Sequence, residues 1–250
     1  MTNPETPVSA RQRIYNFAAV RLNLDVELRY RAVQRVLKPL VTEGMSVLEV
    51  GAGAVSIGRY LQCPTTAVDS GFDLRRNSNV ARVQASACSL PFADKTWDIV
   101  CSIDMLEHVP PAQRGHAIAE MVRVGKRFVA VALPVGQAAY RQDVWTHEYY
   151  IGHHGNPHRF ALEHVELGLP DREYIKTAFQ DSAKRTGRHL ELGIVPNVNL
   201  SVRAFYMRFA FHGSVLRRAL YVGMFPLAYF GAALDRGACY RDIFIARLCE

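Results

Sequence analysis

The sequence predicts an α/β fold: a doubly wound, mostly parallel sheet of seven strands, with helical insertions at the sheet's carboxyl edge. Three observations carry this reading. Short apolar runs alternate with stretches of helical period, the pattern of strand–helix–strand units. The first strand-like run, Val47–Val50, passes directly into Gly51-Ala52-Gly53 and then a helix-like stretch to Leu61. Asp69 stands 20 residues after Glu49, at the end of the second run. A glycine turn after a strand lets backbone approach a nucleotide-like ligand, and an acid at that later place hydrogen-bonds ribose hydroxyls.

The elements follow in order. Residues 9–40 read as one or two helices capping the sheet, with Arg13, Arg21, Arg29 and Arg35 alternating with apolar positions at helical spacing. Strand one is Ser46–Val50, strand two Thr65–Val68, strand three Ala81–Gln84 and strand four Trp97–Ser102. A helix runs from Pro111, a favoured first-turn residue, to about Val122. Strand five, Arg127–Leu133, stops at Pro134. A helix over Asp171–Thr186 starts after Pro170 and ends at Gly187. Strands six and seven are His189–Val195 and Tyr240–Leu248. Two stretches, Val135–Pro170 and Asn197–Gly237, are extra. In the predicted topology both leave the carboxyl edge, where open α/β sheets bind ligands, so both should wall a pocket. The chain thus reads as a single domain over 1–250: a helical cap at 1–44, a core at 45–134, insertions at 135–170 and 197–237, and a last strand at 238–250.

With 250 residues, 49% of them hydrophobic, the chain can bury a full core. Met1–Ala10 is polar and no apolar targeting segment follows it. The five cysteines lack paired spacing, which predicts reduced thiols and a cytoplasmic location. The net charge of +7 is uneven. Residues 45–150 hold ten Lys/Arg and ten Asp/Glu, while the flanks contribute +3 and +4. No run of Lys/Arg exceeds two and no aromatics interleave with a basic stripe, which argues against a nucleic-acid surface.

Glu49 is the decisive detail at the glycine turn. A carboxylate two residues before Gly51 would oppose a pyrophosphate but suits a ligand with a cationic amino group. S-adenosylmethionine (SAM) is such a ligand. At Val47-Leu48-Glu49-Val50-Gly51-Ala52-Gly53, at Leu90-Pro91-Phe92 through Trp97-Asp98-Ile99-Val100, and at Asp104-Met105-Leu106-Glu107-His108-Val109, the chain resembles the class I SAM-dependent methyltransferases. The resemblance spans roughly residues 40–133. It implies a Rossmann-like methyltransferase fold with an antiparallel seventh strand, and SAM as cofactor. It also implies cofactor contacts at Glu49, Gly51, Ala52, Gly53, Asp69, Ser70, Ser86, Ala87 and Asp104. Two positions depart from the family pattern. Val55 replaces the third small residue of the glycine motif, and Ser86 stands where an acid usually meets adenine, a weaker partner for its amino group.

The reactive groups on the acceptor side are histidines. His108 follows strand four and is a candidate general base, with a bracing role for Glu107 and His108 as the alternative. Five of nine histidines fall in 147–164: His147, His153, His154, His158 and His164. His153 and His154 are candidate catalytic groups beside a polar acceptor. The spacing fits no metal-binding pattern and no cysteine is near, so no metal is expected. The phrase Glu163-His164 followed by Pro170 loosely resembles a segment of bacterial methyltransferases encoded with glycan-synthesis enzymes.

No Asn/Asp-Pro-Pro-aromatic tetrapeptide follows strand four, which disfavours methylation of nucleobase or glutamine nitrogens. O-methylation of a small or lipid-linked acceptor, a glycan or quinone-like molecule, is therefore the expected activity. The alternatives are a protein that binds SAM or S-adenosylhomocysteine without catalysis, and a nucleic-acid methyltransferase. Residues 199–234 are both aromatic and basic, and Ala219–Leu234 carries no charge between Arg217-Arg218 and Arg236. At 16 residues this stretch is short of a bilayer span of about 20. It reads either as peripheral contact with the inner face of a membrane, or as a lid packed on the pocket or on the second subunit of a homodimer.

Overall fold

The computed structural model describes residues 22–53, 55–71 and 80–249. The helical reading of residues 9–21 lies outside these. The first described helix, α1 (Leu24–Leu37), is capped by Asn23, whose side chain accepts from the Val26 amide at 3.2 Å. Asp25 and Glu27 in its first turn and Arg35 in its last complement the helix dipole. Strands β1 (Val47–Val50), β2 (Thr65–Asp69), β3 (Ala81–Gln84) and β4 (Trp97–Ile103) follow, with the single-turn α2 (Gly58–Leu61) after the glycine turn. Helix α3 (Pro111–Val124) leads into β5 (Gly125–Pro134). Next come α4 (Gly136–His154), α5 (Arg159–Leu167), α6 (Arg172–Arg185) and β6 (His189–Asn199). Helices α7 (Leu200–Ala210), α8 (Val215–Gly223) and α9 (Gly231–Leu234) precede β7 (Cys239–Cys249).

The seven strands form one sheet in the order β3-β2-β1-β4-β5-β7-β6. The first five are mutually parallel, and β7 runs antiparallel to both β5 and β6. All four residues of β1 are buried, as expected of a parallel strand covered on both faces. One face packs Leu48, Val50, Val100 and Val131 against Ile118 and Met121 of α3 and Phe179 of α6. The other packs Val47, Ile99, Cys101 and Ala132 against Val33 and Leu37 of α1 and Tyr60 of α2. A third core joins Leu24 and Leu28 of α1 to Ala139 of α4, Tyr206 of α7 and Tyr240 of β7.

Three boundaries move. Strand five starts at Gly125, because Gly125 pairs with Trp97 across a bulge. Strand six continues to Asn199, paired with Cys239. Pro196 is tolerated within it because β6 is an edge strand, where a missing amide costs no ladder bond. The second insertion therefore begins at Leu200. Its apolar stretch is not one helix: Pro226 falls in a 3-10 segment, Phe225–Phe230, between α8 and α9. All five cysteines are free thiols.

Strand order reverses between β1 and β4, since β2 lies on one side of β1 and β4 on the other. The crevice beyond the carboxyl ends at such a reversal is the usual ligand site of an open α/β sheet. Gly51 leaves β1 there and Asp104 leaves β4. Helices α4 and α5 rise from β5 at the same edge, and α7 rises from β6.

Candidate active site

The glycine turn is shaped by two left-handed residues, Gly51 (φ +79°) and Gly53 (φ +47°). A Cβ on Gly51 would lie 2.1 Å from the Met105 Cγ, so only glycine fits beneath the β4 loop. Around Gly53 there is open space. Ala52 is buried between them. Asp69 closes the turn: its Oδ2 accepts from the Gly53 amide at 3.1 Å and its Oδ1 from the Gly71 amide at 2.9 Å. That holds a half-exposed carboxylate at the lip of the turn. Ser70 is exposed beside it. Ser86 is exposed at the end of β3, and its hydroxyl accepts from the Cys88 amide at 3.2 Å. Ala87 packs against the core.

Glu49 is wholly buried. Its Oε2 accepts from the Ile57 amide at 2.7 Å and its Oε1 lies 3.0 Å from the Tyr30 hydroxyl. Burial pushes its carboxyl up to about 7, against the opposing bonds from Ser56, Ile57 and Tyr30. The Tyr30 hydroxyl also lies 2.8 Å from the Val55 carbonyl. Its single proton goes to Glu49 when that group is ionised; a protonated Glu49 can instead donate to the hydroxyl, whose proton then serves the Val55 carbonyl.

Asp104, in a left-handed conformation (φ +48°), turns its carboxylate into a buried ionic network. Arg29 of α1 donates to it at 2.9 Å and Arg241 of β7 at 2.7 Å. Burial works to raise the Asp104 carboxyl, but these two guanidiniums hold it well below the usual carboxylate range. Arg241 also meets Asp25 at 3.3 Å. Deeper in the insertion, Asp143 of α4 pairs with Arg203 of α7 at 3.2 Å and accepts from the Tyr240 hydroxyl at 2.8 Å. The guanidinium of Arg203 stacks 3.5 Å from the Tyr240 ring. Three carboxylates and three guanidiniums thus balance one another across α1, α4, α7 and both sheet strands.

Beyond β4, His108 meets His164. His108 Nδ1 lies 2.8 Å from Glu163, and His164 Nδ1 lies 2.8 Å from Asp143. Their Nε2 atoms turn toward each other at 3.3 Å. Glu107 sits beside them, wholly buried, its Oε1 3.9 Å from His164 Nε2. Burial, reinforced by the Asp104 charge, pushes Glu107 up to about 8. Burial and the neighbouring His164 lower His108, so its ring is neutral at pH 7. Burial opposes a charged His164, but the Asp143 bond and charge raise it. Arg114 fixes the backbone beneath by donating to the carbonyls of Glu107, Val109 and Gly168 at 3.1, 3.0 and 2.7 Å. That ties the Leu106–His108 turn to the end of α5.

His153 and His154 end α4 elsewhere. His153 bonds the Tyr149 carbonyl and rests on His212, while His154 bonds the Phe211 carbonyl and stacks on Tyr150. The fold does not join either to the His108–His164 pair. The sequence reading did not assign Tyr30, Asp143, Arg203 or Arg241 to the site, and it quoted Glu163 only within the Glu163-His164 phrase. Only a buried charge in a strand hints at any of them, and Arg241-Asp242 in β7 is that hint.

Residues 48–130 match the methyltransferase domain family. That segment is a methyltransferase domain. Solved structures agree on the fold. The chain is similar to a SAM-dependent methyltransferase from Thermotoga maritima (13% identity, 94% of this chain and 95% of that one, TM-score 0.55). It is similar also to a SAM-dependent methyltransferase from Archaeoglobus fulgidus (14% identity, 94% and 99% covered, TM-score 0.51). A third is 1,6-didemethyltoxoflavin-N1-methyltransferase from Burkholderia thailandensis, solved with S-adenosylhomocysteine (12% identity, 100% and 94% covered, TM-score 0.50). No curated protein sequence matches the chain. The methyltransferase domain thus carries the glycine turn, Asp69 and Asp104, and the α4–α5 and α7–α9 insertions rise beside it.

Proposed function

We propose that this methyltransferase transfers the methyl group of SAM to a hydroxyl oxygen of a small or lipid-linked acceptor of glycan or quinone-like chemistry. In this reading Asp69 bonds the ribose and the Gly51–Gly53 turn lies under the cofactor. Glu49 and Asp104 flank its methionine part, and Ser70, Ser86 and Ala87 line the adenine end. The observation that carries oxygen as the acceptor atom is the His108–His164 pair. Both Nδ1 atoms are taken by carboxylates, so both Nε2 atoms face one point beyond β4, where the neutral His108 ring can draw the proton from a hydroxyl. Most of the acceleration would come from holding oxygen, methyl and sulfur in line.

A lipid-linked acceptor is supported by α8. Val215, Leu216 and Leu220 are 83%, 70% and 49% exposed, beside exposed Arg217. Such a helix suits a membrane surface. No helix of the described residues is long and apolar enough to cross a membrane.

Calorimetry with SAM and S-adenosylhomocysteine tests the cofactor. Incubating the protein with cell extract and methyl-labelled SAM, then identifying the labelled product by mass spectrometry, tests the acceptor. A product methylated on nitrogen would sink the oxygen reading. Binding without any labelled product would favour a non-catalytic protein.

A further inference from the structure

We infer that Glu107, His108 and His164 bind one divalent first-row transition-metal ion, with zinc the best fit to the donor set. The inference rests on the oxygen-transfer reading and replaces proton abstraction by the Nε2 atoms with metal activation of the same hydroxyl, but metal binding itself stands independently. The argument begins with lone pairs. A carboxylate opposite each Nδ1 makes that nitrogen the proton bearer in a neutral ring. The two Nε2 atoms face each other at 3.3 Å, so either one proton or a metal cation bridges them. Glu107 adds a second demand. Among the described residues no other residue donates a hydrogen bond to either of its oxygens, although the side chain is wholly buried. The Arg29, Arg203 and Arg241 guanidiniums are already matched by Asp25, Asp104 and Asp143, so none of them is left to pair with Glu107 once it ionises on a metal.

The geometry matches a metal. The three ligand atoms lie within 4.8 Å of one another. Two nitrogens about 2.0–2.1 Å from one tetrahedral zinc stand about 3.3 Å apart, by simple trigonometry on the usual bond length. The outer carboxylates, Glu163 and Asp143, supply the imidazole orientation that metal-bound histidines usually receive. Two imidazoles and one carboxylate leave a coordination position open, as in catalytic rather than structural sites. His108 and His164 retain 23% and 13% side-chain exposure, so the point is reachable. The separation of 56 positions between the two histidines explains why ligand spacing does not disclose the site.

An ion there would lower the pKa of an acceptor hydroxyl resting on it. The hydroxyl proton leaves to solvent and the oxygen attacks the SAM methyl. An O–C bond forms as the S–C bond breaks, giving the methyl ether, neutral S-adenosylhomocysteine and one proton. The rival occupant of the gap is a single proton shared by the two rings.

The test uses the full chain after chelator treatment. Zinc chloride and manganese chloride are titrated separately by calorimetry, and S-adenosylhomocysteine is titrated in parallel. We expect one equivalent of zinc bound at micromolar or tighter Kd, and manganese bound more weakly. Glu107→Gln removes the ligand carboxylate without emptying its space, so the variant folds at least as stably. It should lose zinc affinity by at least 100-fold while S-adenosylhomocysteine affinity stays within two-fold. His164→Gln should behave alike toward zinc. No zinc uptake by the wild type at 100 µM would overturn the metal, as would equal affinity in both variants. Loss of S-adenosylhomocysteine binding with zinc binding intact would instead strike the cofactor reading.

Discussion

At the scale of single residues the glycine turn and its acids make the sharpest predictions. Asp69→Ala removes a charged acceptor for ribose hydroxyls and should weaken SAM binding by about 1.5–3 kcal/mol, read by calorimetry. Gly51→Val should abolish binding, since a Cβ there meets Met105 at 2.1 Å. If both variants bind normally, the cofactor lies elsewhere. Glu49 predicts a pH dependence. Its carboxyl titrates at about 7 when folded, against 4.5 ordinarily. The folded protein therefore holds a proton that the unfolded chain has lost between these values. The resulting stability is fully present below pH 4.5 and is lost as pH rises through 7, on the order of 3 kcal/mol. Glu49→Gln should flatten this slope in urea titrations at pH 5 and pH 8, because a glutamine amide donates to Tyr30 as the protonated acid does. If the SAM ammonium sits near Glu49, binding favours the carboxylate and releases a proton. At pH 6.5, calorimetric enthalpies should then differ between buffers of different ionisation enthalpy; identical enthalpies would remove Glu49 from the amine. Glu49 was legible from the sequence as the acid before the glycine turn. Its partner Tyr30 was not, because the two meet only when α1 packs on β1.

At the scale of elements the insertions are tied to the sheet by charge as well as by apolar contact. Asp143 joins α4, α5, α7 and β7 through His164, Arg203 and Tyr240. Asp143→Ala would leave Arg203 buried without its partner and should cost about 3–5 kcal/mol of stability. A change below 1 kcal/mol in urea unfolding would mean the network bears little of the insertion's stability. His154→Ala should remove one bond to Phe211, costing about 1 kcal/mol, and leave SAM affinity unchanged. Lost turnover in this variant, with the fold intact, would bring the α4 terminus into the acceptor site. Periodicity and prolines located the sheet strands and α3 and α6 to within two residues at most ends. The main exception was the carboxyl end of β6, expected at Val195 but reaching Asn199, with Pro196 on the sheet edge.

At the scale of the whole molecule the exposed apolar residues of α8 and the 3-10 segment form a surface that the core does not cover. Tyr229 and Phe230 are exposed, and Tyr229 lies under Arg31 at 4.1 Å, while Phe225 is half-buried. Replacing Val215, Leu216 and Leu220 with Ser should cut association with anionic liposomes in a sedimentation assay, with SAM binding unchanged. Indifference of the wild type to such liposomes at low salt would leave the lid or the second subunit as the function of this face. The sequence by itself determined the sheet, the glycine turn, Asp69 and the methyltransferase fold, because these depend on local periodicity and short-range spacing. Tertiary structure alone decided which histidines converge beside β4. His153 and His154 are adjacent in the chain and were grouped with three others by position. The chain crossing from β4 to α5 brings His108 to His164 and leaves the other pair at the far end of α4. Convergence of side chains from separate elements depends on packing and buried charge balance, and no spacing rule records either.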